Sequence, residues 1–144
     1  MHPVFIKPRQ DVELLGPNDM VARCDELALL KAGWMDGEGQ AMDKEGLKWF
    51  ASSWMNSDTQ SLPQPYIYPA LEGGIRLEWT HKSWEIAAVM DLASKQAELF
   101  AVDANSQEFD EETADLSDPA GWPQLISFVS NHLFSRPTAR SFSS

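Results

Sequence analysis

The chain has 144 residues with 22 acidic against 11 basic side chains, a net charge of −11, 43% apolar residues, six tryptophans and one cysteine. That length fits a single domain, because two separate cores would each be too small to bury enough surface. The apolar and aromatic content supports a packed core and excludes wholesale disorder, while an isoelectric point near 4.5 repels DNA, RNA and anionic lipid.

The opening segment, MHPVFIKPRQDVELL, is broken early by charge and proline and lacks the apolar run of a signal peptide. No window reaches the ~18 consecutive apolar residues of a membrane span. Cys24 has no partner within the chain, so a disulfide-stapled scaffold is excluded and a cytoplasmic location is expected. Its apolar surroundings mark it as a small core residue rather than a reactive thiol.

Asn18 or Asp19 can cap a first helix running to about Ala32, with Met20, Cys24, Leu27 and Leu30 at helical spacing and Gly33 as its stop. Gly33, Gly37 and Gly39 then punctuate a turn-rich loop that carries Trp34. Asp43 caps a second helix in which Leu47, Phe50, Ala51, Trp54 and Met55 form one apolar stripe. The polar, proline-closed stretch from Asn56 to Pro65 is a connector.

Beyond it the hydrophobic period changes to alternation. Tyr66–Tyr68 is a short strand ended by Pro69. Ile75, Leu77 and Trp79 alternate with Arg76, Glu78 and Thr80, and Trp84, Ile86, Ala88, Met90 and Leu92 alternate with Glu85, Ala87, Val89 and Asp91. A turn at Ala93–Lys95 leads to a strand over Ala97–Val102. Short connections force an antiparallel meander, since a parallel return needs a crossover of about a dozen residues. From Asp103 to Asp118 there are seven acids and no base, read as a solvated loop or a polar edge strand. Asp118 caps a last helix with Pro119 at its first position and Leu125, Phe128, Val129, His132 and Leu133 on its buried side.

The predicted fold class is therefore α+β, an antiparallel meander of three to four strands covered by helices from both ends of the chain, in the order α-α-β-β-β-β-α. Residues 1–144 form one domain: a helical part over 9–56, a connector over 57–65, sheet and last helix over 66–134, and a flexible tail over 135–144. His2 to Pro8 is read as equally loose. The second sheet face mixes polar Arg76, Glu78 and Glu85 with apolar Val89 and Phe100, a composition suited to a partner or to self-association.

Strong short signatures for nucleotides, zinc hydrolysis and redox chemistry are missing. The DGEG at Asp36–Gly39 opens like a calcium loop, yet the glycine and glutamate such a loop needs at positions six and twelve would fall on Ala41 and Leu47. His2, His81 and His132 lie on a chain end, a hairpin turn and the last helix, with no spacing that makes them converge on zinc. No metal or cofactor is expected. The EGG turn at Glu72–Gly74 is read as hairpin geometry rather than an anion cradle, since no base adjoins it.

GWMDGEG, LPQPYIYPALEGGIRLEW, WEIAAVMDL and DPAGWPQL, spanning roughly Gly33 to Leu125, together resemble a pattern of small bacterial proteins in which YIYP, EGG[IV] and EW precede an acidic segment and a D-P-x-x-W helix. The resemblance implies an α+β domain of cytoplasmic bacterial type and transfers no catalytic residue.

The leading functional expectation is a non-enzymatic acidic binding module of antitoxin, immunity or inhibitor type that covers a basic surface on another protein. Its candidate partner-binding residues are Trp34 and Trp49 as exposed aromatic anchors, Arg76, Glu78 and Glu85 on the second sheet face, and Glu108, Asp110, Glu111, Glu112 and Asp115 in the acidic run. The alternative is a small enzyme on the exposed sheet face or the EGG hairpin, with Glu78, Glu85 or His81 moving a proton.

Overall fold

The computed structural model describes residues 19–134; the expected loose segment His2–Pro8, the cap Asn18 and the tail 135–144 lie outside them. Helix α1 (Asp19–Leu27) buries Met20, Cys24 and Leu27. It ends short of the expected Ala32, because Leu29 and Leu30 donate to the carbonyls three residues back and the last turn tightens, leaving Leu29 in solvent. Gly33 begins the next loop instead of ending the helix. With φ of +87° it accepts from Gly37 N and donates to Gly39 O, closing a compact glycine-rich turn.

Helix α2 (Lys44–Asn56) is capped as the sequence predicts, with Asp43 Oδ1 accepting from Gly46 N at 3.0 Å. Leu47, Phe50, Ala51 and Trp54 are buried. Met55 is exposed, because at about 100° per residue it lies a quarter-turn round the helix from Trp54 and outside the stripe. The connector is not a free linker. It contains a single turn of tighter helix at Thr59–Ser61, the Thr59 hydroxyl donates to Trp54 O at 2.6 Å, and the Trp79 indole N–H donates to Pro63 O at 2.9 Å.

The sheet has five strands rather than three to four: β1 (Tyr66–Pro69), β2 (Ile75–His81), β3 (Trp84–Asp91), β4 (Gln96–Asp103) and β5 (Phe109–Asp115), paired antiparallel in sequence order. The additional strand is the acidic run, and it escapes hydrophobic patterning because Ala114 is its one buried side chain. On the covered face, Ile75, Leu77 and Trp79, then Ile86, Ala88 and Met90, then Ala97, Leu99 and Ala101 are all buried, as period-two alternation requires.

Helix α3 (Gly121–Phe134) closes that face with Trp122, Leu125, Phe128, Val129 and Leu133. It begins two residues later than Pro119 would imply: Asp118 turns back on itself, its carboxylate accepting from Ala120 N at 2.9 Å and its carbonyl from Gly121 N. Trp122 packs against Trp49, Phe50 and Trp54, with ring centroids 6.1 to 6.4 Å away, and so joins α3 to α2 across the length of the intervening sheet sequence.

Gly121 lies against the Asp115 carbonyl, and a Cβ there would collide with main chain that cannot step aside. Helix propensity alone favours alanine over glycine by about 1 kcal/mol, yet Gly121→Ala should lower stability, read as a falling urea midpoint. Cys24 is buried, and desolvation followed by the Asp25 charge pushes its thiol up to about 12. At pH 8 a thiol-specific disulfide reagent should therefore leave Cys24 untouched in the native protein and modify it fully in urea.

Candidate functional site

Sheet register sorts the candidate residues by face. Glu78 pairs with Ala87, Ala87 with Phe100 and Phe100 with Glu111, forming one row across the face turned away from the helices. A second row runs Arg76, Val89, Glu98, Thr113, and a third Thr80, Glu85, Val102, Phe109. Exposure rises toward β5. Ala87 is buried, Val89 and Phe100 are half-buried, and Val102 and Phe109 are 38% and 55% exposed. The Phe100 and Phe109 rings lie 6.3 Å apart, so Phe100, Val102 and Phe109 make one continuous apolar patch. Glu85, Glu98 and Glu111 are exposed around it.

Arg76, Glu78 and Glu85 lie on this face as expected, and Glu111 of the acidic run lies on it too, toward the opposite edge from Arg76. Arg76 Nε and Glu78 Oε2 are 2.6 Å apart in a partly buried ion pair, so they neutralise each other. Glu98, Val102 and Phe109 complete the patch without having been singled out in the sequence. Glu98 and Val102 follow from Phe100 by counting in twos along β4, whereas Phe109 follows only from the hairpin register, which changes the parity across the turn and sets Phe109 opposite Val102.

The acidic run is divided by the same pleat. Glu111 belongs to the open face, whereas Asp110 and Glu112 project toward α3, where Glu112 Oε1 accepts from Gln124 Nε2 at 3.1 Å. Asp110 Oδ2 lies 2.7 Å from His132 Nε2, and His132 Nδ1 lies 2.8 Å from the Phe128 carbonyl. Both ring nitrogens of His132 thus lie against oxygen atoms, one on the helix and one on the edge strand, so the ring bridges α3 and β5. Glu108 and Asp115 stand at the two ends of β5. Ser117 Oγ and N donate to the Asp115 carboxylate and hold it below the ordinary carboxylate range.

The expected aromatic anchors are both half-buried. Trp34 is bound to its own loop: its indole N–H donates to Gln40 O at 2.7 Å and its ring occupies the space a Cβ at Gly39 would need. Trp49 lies in the aromatic cluster with Trp122, beneath the Lys95 ammonium at 5.3 Å. Nor do His81 and the glutamates converge. His81 follows Thr80 and so projects from the face opposite Glu78 and Glu85. Beside the EGG hairpin, a depression of about 350 Å³ is lined by Glu72, Asp91 and Glu98 but by none of the proposed proton carriers.

Among the described residues no group of three or more His, Cys, Asp or Glu is placed to hold a metal ion, and no helix is long and apolar enough to cross a membrane. Comparison with protein-family models, with curated proteins and with solved structures finds no match.

Asp103 anchors the β4–β5 turn beside the patch. Its carboxylate is held below its ordinary range first by the Ser83 hydroxyl, then by Ser106 and the backbone N–H of Asn105. A carboxylate lowered in the fold contributes stability that is present above its unfolded value and lost as pH falls through the lowered one. Asp103→Asn should therefore melt below wild type at pH 7, and the two melting temperatures should converge only at pH well below the ordinary aspartate value of about 3.9.

Proposed function

We propose that this chain is a non-enzymatic acidic binding module, acting in the cytoplasm, that covers a basic surface on another protein in the manner of an antitoxin, immunity protein or inhibitor. The observation that carries the reading is the half of the open face nearest β5, where Phe100, Val102 and Phe109 are ringed by Glu85, Glu98 and Glu111. Contiguous exposed apolar side chains offer area to bury, and the carboxylates around them steer a cationic partner toward it. Arg76 offers no opposing charge, since Glu78 already pairs with it.

The same field disfavours nucleic acid and anionic membranes. Self-association through this face would set carboxylate against carboxylate, which favours a basic partner over a second copy. A small enzyme on the sheet face or the EGG hairpin has less support, because Glu78 is paired, Glu85 is exposed and His81 lies on the other face.

Immobilised protein should retain a basic partner from lysate at low salt and release it as salt rises. Reversing Glu85, Glu98 and Glu111 to lysine should slow association with that partner roughly tenfold or more while leaving the thermal melt nearly unchanged. Failure to retain any basic protein at low salt, or equal association by the triple variant, would remove the support for this function.

A further inference from the structure

The outer edge of β5 carries main-chain groups most of which nothing else in the described chain uses. Asp103 N donates to Glu108 O, and Leu116 N donates to Lys95 O. Between these points the pairing runs without a break from Gln96–Asp115 to Val102–Phe109. Hydrogen-bonded pairs alternate along an antiparallel ladder, so the even-numbered residues of β5 bond inward to β4. Phe109, Glu111, Thr113 and Asp115 aim their N–H and C=O groups outward. Two of these groups are occupied: Gln124 Nε2 donates to Thr113 O at 3.0 Å, and Asp118 N to Asp115 O at 3.1 Å. Among the described residues the other six groups remain open, and five of them, the N–H and C=O of Phe109 and of Glu111 and the N–H of Thr113, lie along a stretch whose side chains are all exposed.

The other edge of the sheet is closed. β1 has four residues and ends in Pro69, and its Ile67 carbonyl accepts from Arg23 Nη2 at 3.0 Å. Proline, short length, bulges and covering side chains are the usual guards of an edge. β5 has no proline, lysine or bulge, and its guards are carboxylates, which repel a second acidic strand but attract a basic one.

We propose that the partner docks on this edge as a sixth strand, through an extended basic segment hydrogen-bonded to Phe109–Thr113; the inference rests on the binding-module reading above and supplies its mode of contact. Charge selects the occupant. Two copies of β5 paired antiparallel about Glu111 would oppose Glu111 to itself and Asp110 to Glu112, and like charges directly opposite destabilise a sheet. A basic strand reverses that sign on both faces at once. Its residue opposite Glu111 meets a carboxylate on the open face, and those opposite Asp110 and Glu112 meet carboxylates on the helix side. An apolar residue opposite Phe109 extends the patch made by Phe100 and Val102. The segment recognised is thus a run of consecutive basic residues with an apolar neighbour, since both faces of β5 are acidic here.

The test uses the full chain and a blocked synthetic peptide carrying a run of arginines flanked by valines. Binding should protect the amides of Phe109, Glu111 and Thr113 from hydrogen exchange. N-methylation of alternate peptide residues should abolish binding in one register and spare it in the other, because only one set of N–H groups faces β5. Glu111→Pro and Glu111→Gln both remove the charge, but only proline removes the outward N–H, and neither disturbs the β4–β5 ladder. The proline variant should bind roughly tenfold more weakly than the glutamine variant. Equal binding by both methylated peptides, or by both Glu111 variants, would overturn strand addition while leaving the acidic-module reading standing. Absence of peptide binding at low salt would also overturn it, and retention of a basic partner from lysate decides the broader reading separately.

Discussion

The architecture depends on a three-way contact centred on Trp122. This side chain comes from the last helix, meets Trp49, Phe50 and Trp54 of α2, and thereby clamps two elements remote in sequence over one face of the sheet. A single antiparallel sheet whose apolar face is left open has no core. Neither helix covers the face alone: α3 lies against β3, β4 and β5, and α2 packs with α1. The aromatic cluster turns these partial covers into one continuous core, and the close approach of Gly121 to the Asp115 carbonyl sets how α3 enters it.

Once one face is committed to the helices, the pleat settles what every other strand residue can do. Side chains of odd-numbered β5 residues join Phe100 and Val102 in solvent, and even-numbered ones are drawn toward α3. A run of acids that reads as uniform in one dimension is consequently split into two chemical environments. Asp110 and Glu112 tie the edge strand to His132 and Gln124, and Glu111 borders the apolar patch. Fold and candidate site share β5, and its acids serve both.

Much of this was legible in the residues. Asp43 announces its helix, the stripe from Leu47 to Trp54 identifies its buried side, and strict alternation from Ile75 to Leu99 marks three strands and their covered face. The features that were not legible share a cause: each is decided by tertiary contact rather than by local pattern. β5 lacks alternation because its ladder with β4, not apolar burial, holds it in place. Helix α1 stops early through carbonyls it uses three residues back, which no stop residue signals. Trp34 looked like an exposed anchor because indole exposure depends on whether a nearby carbonyl is free, and here Gln40 supplies one. For the candidate site, the glutamates of the open face could be picked out by parity, while the partners of Arg76 and Asp110 required the cross-strand and helix geometry.

The meander has a kinetic consequence. Every strand pairs with its neighbour in the chain, so each hairpin closes a short loop and its entropic cost stays small. Low sequence separation between contacts favours rapid formation of such a sheet. The contact between Phe50 and Trp122 is of the opposite kind, since the whole meander lies between them. A chain emerging from the ribosome can thus assemble its hairpins while the part of their apolar face that α3 covers is still bare, and the cover is completed when that helix is released. Synthesis of α3 is the step at which an aggregation-prone sheet becomes a protected one.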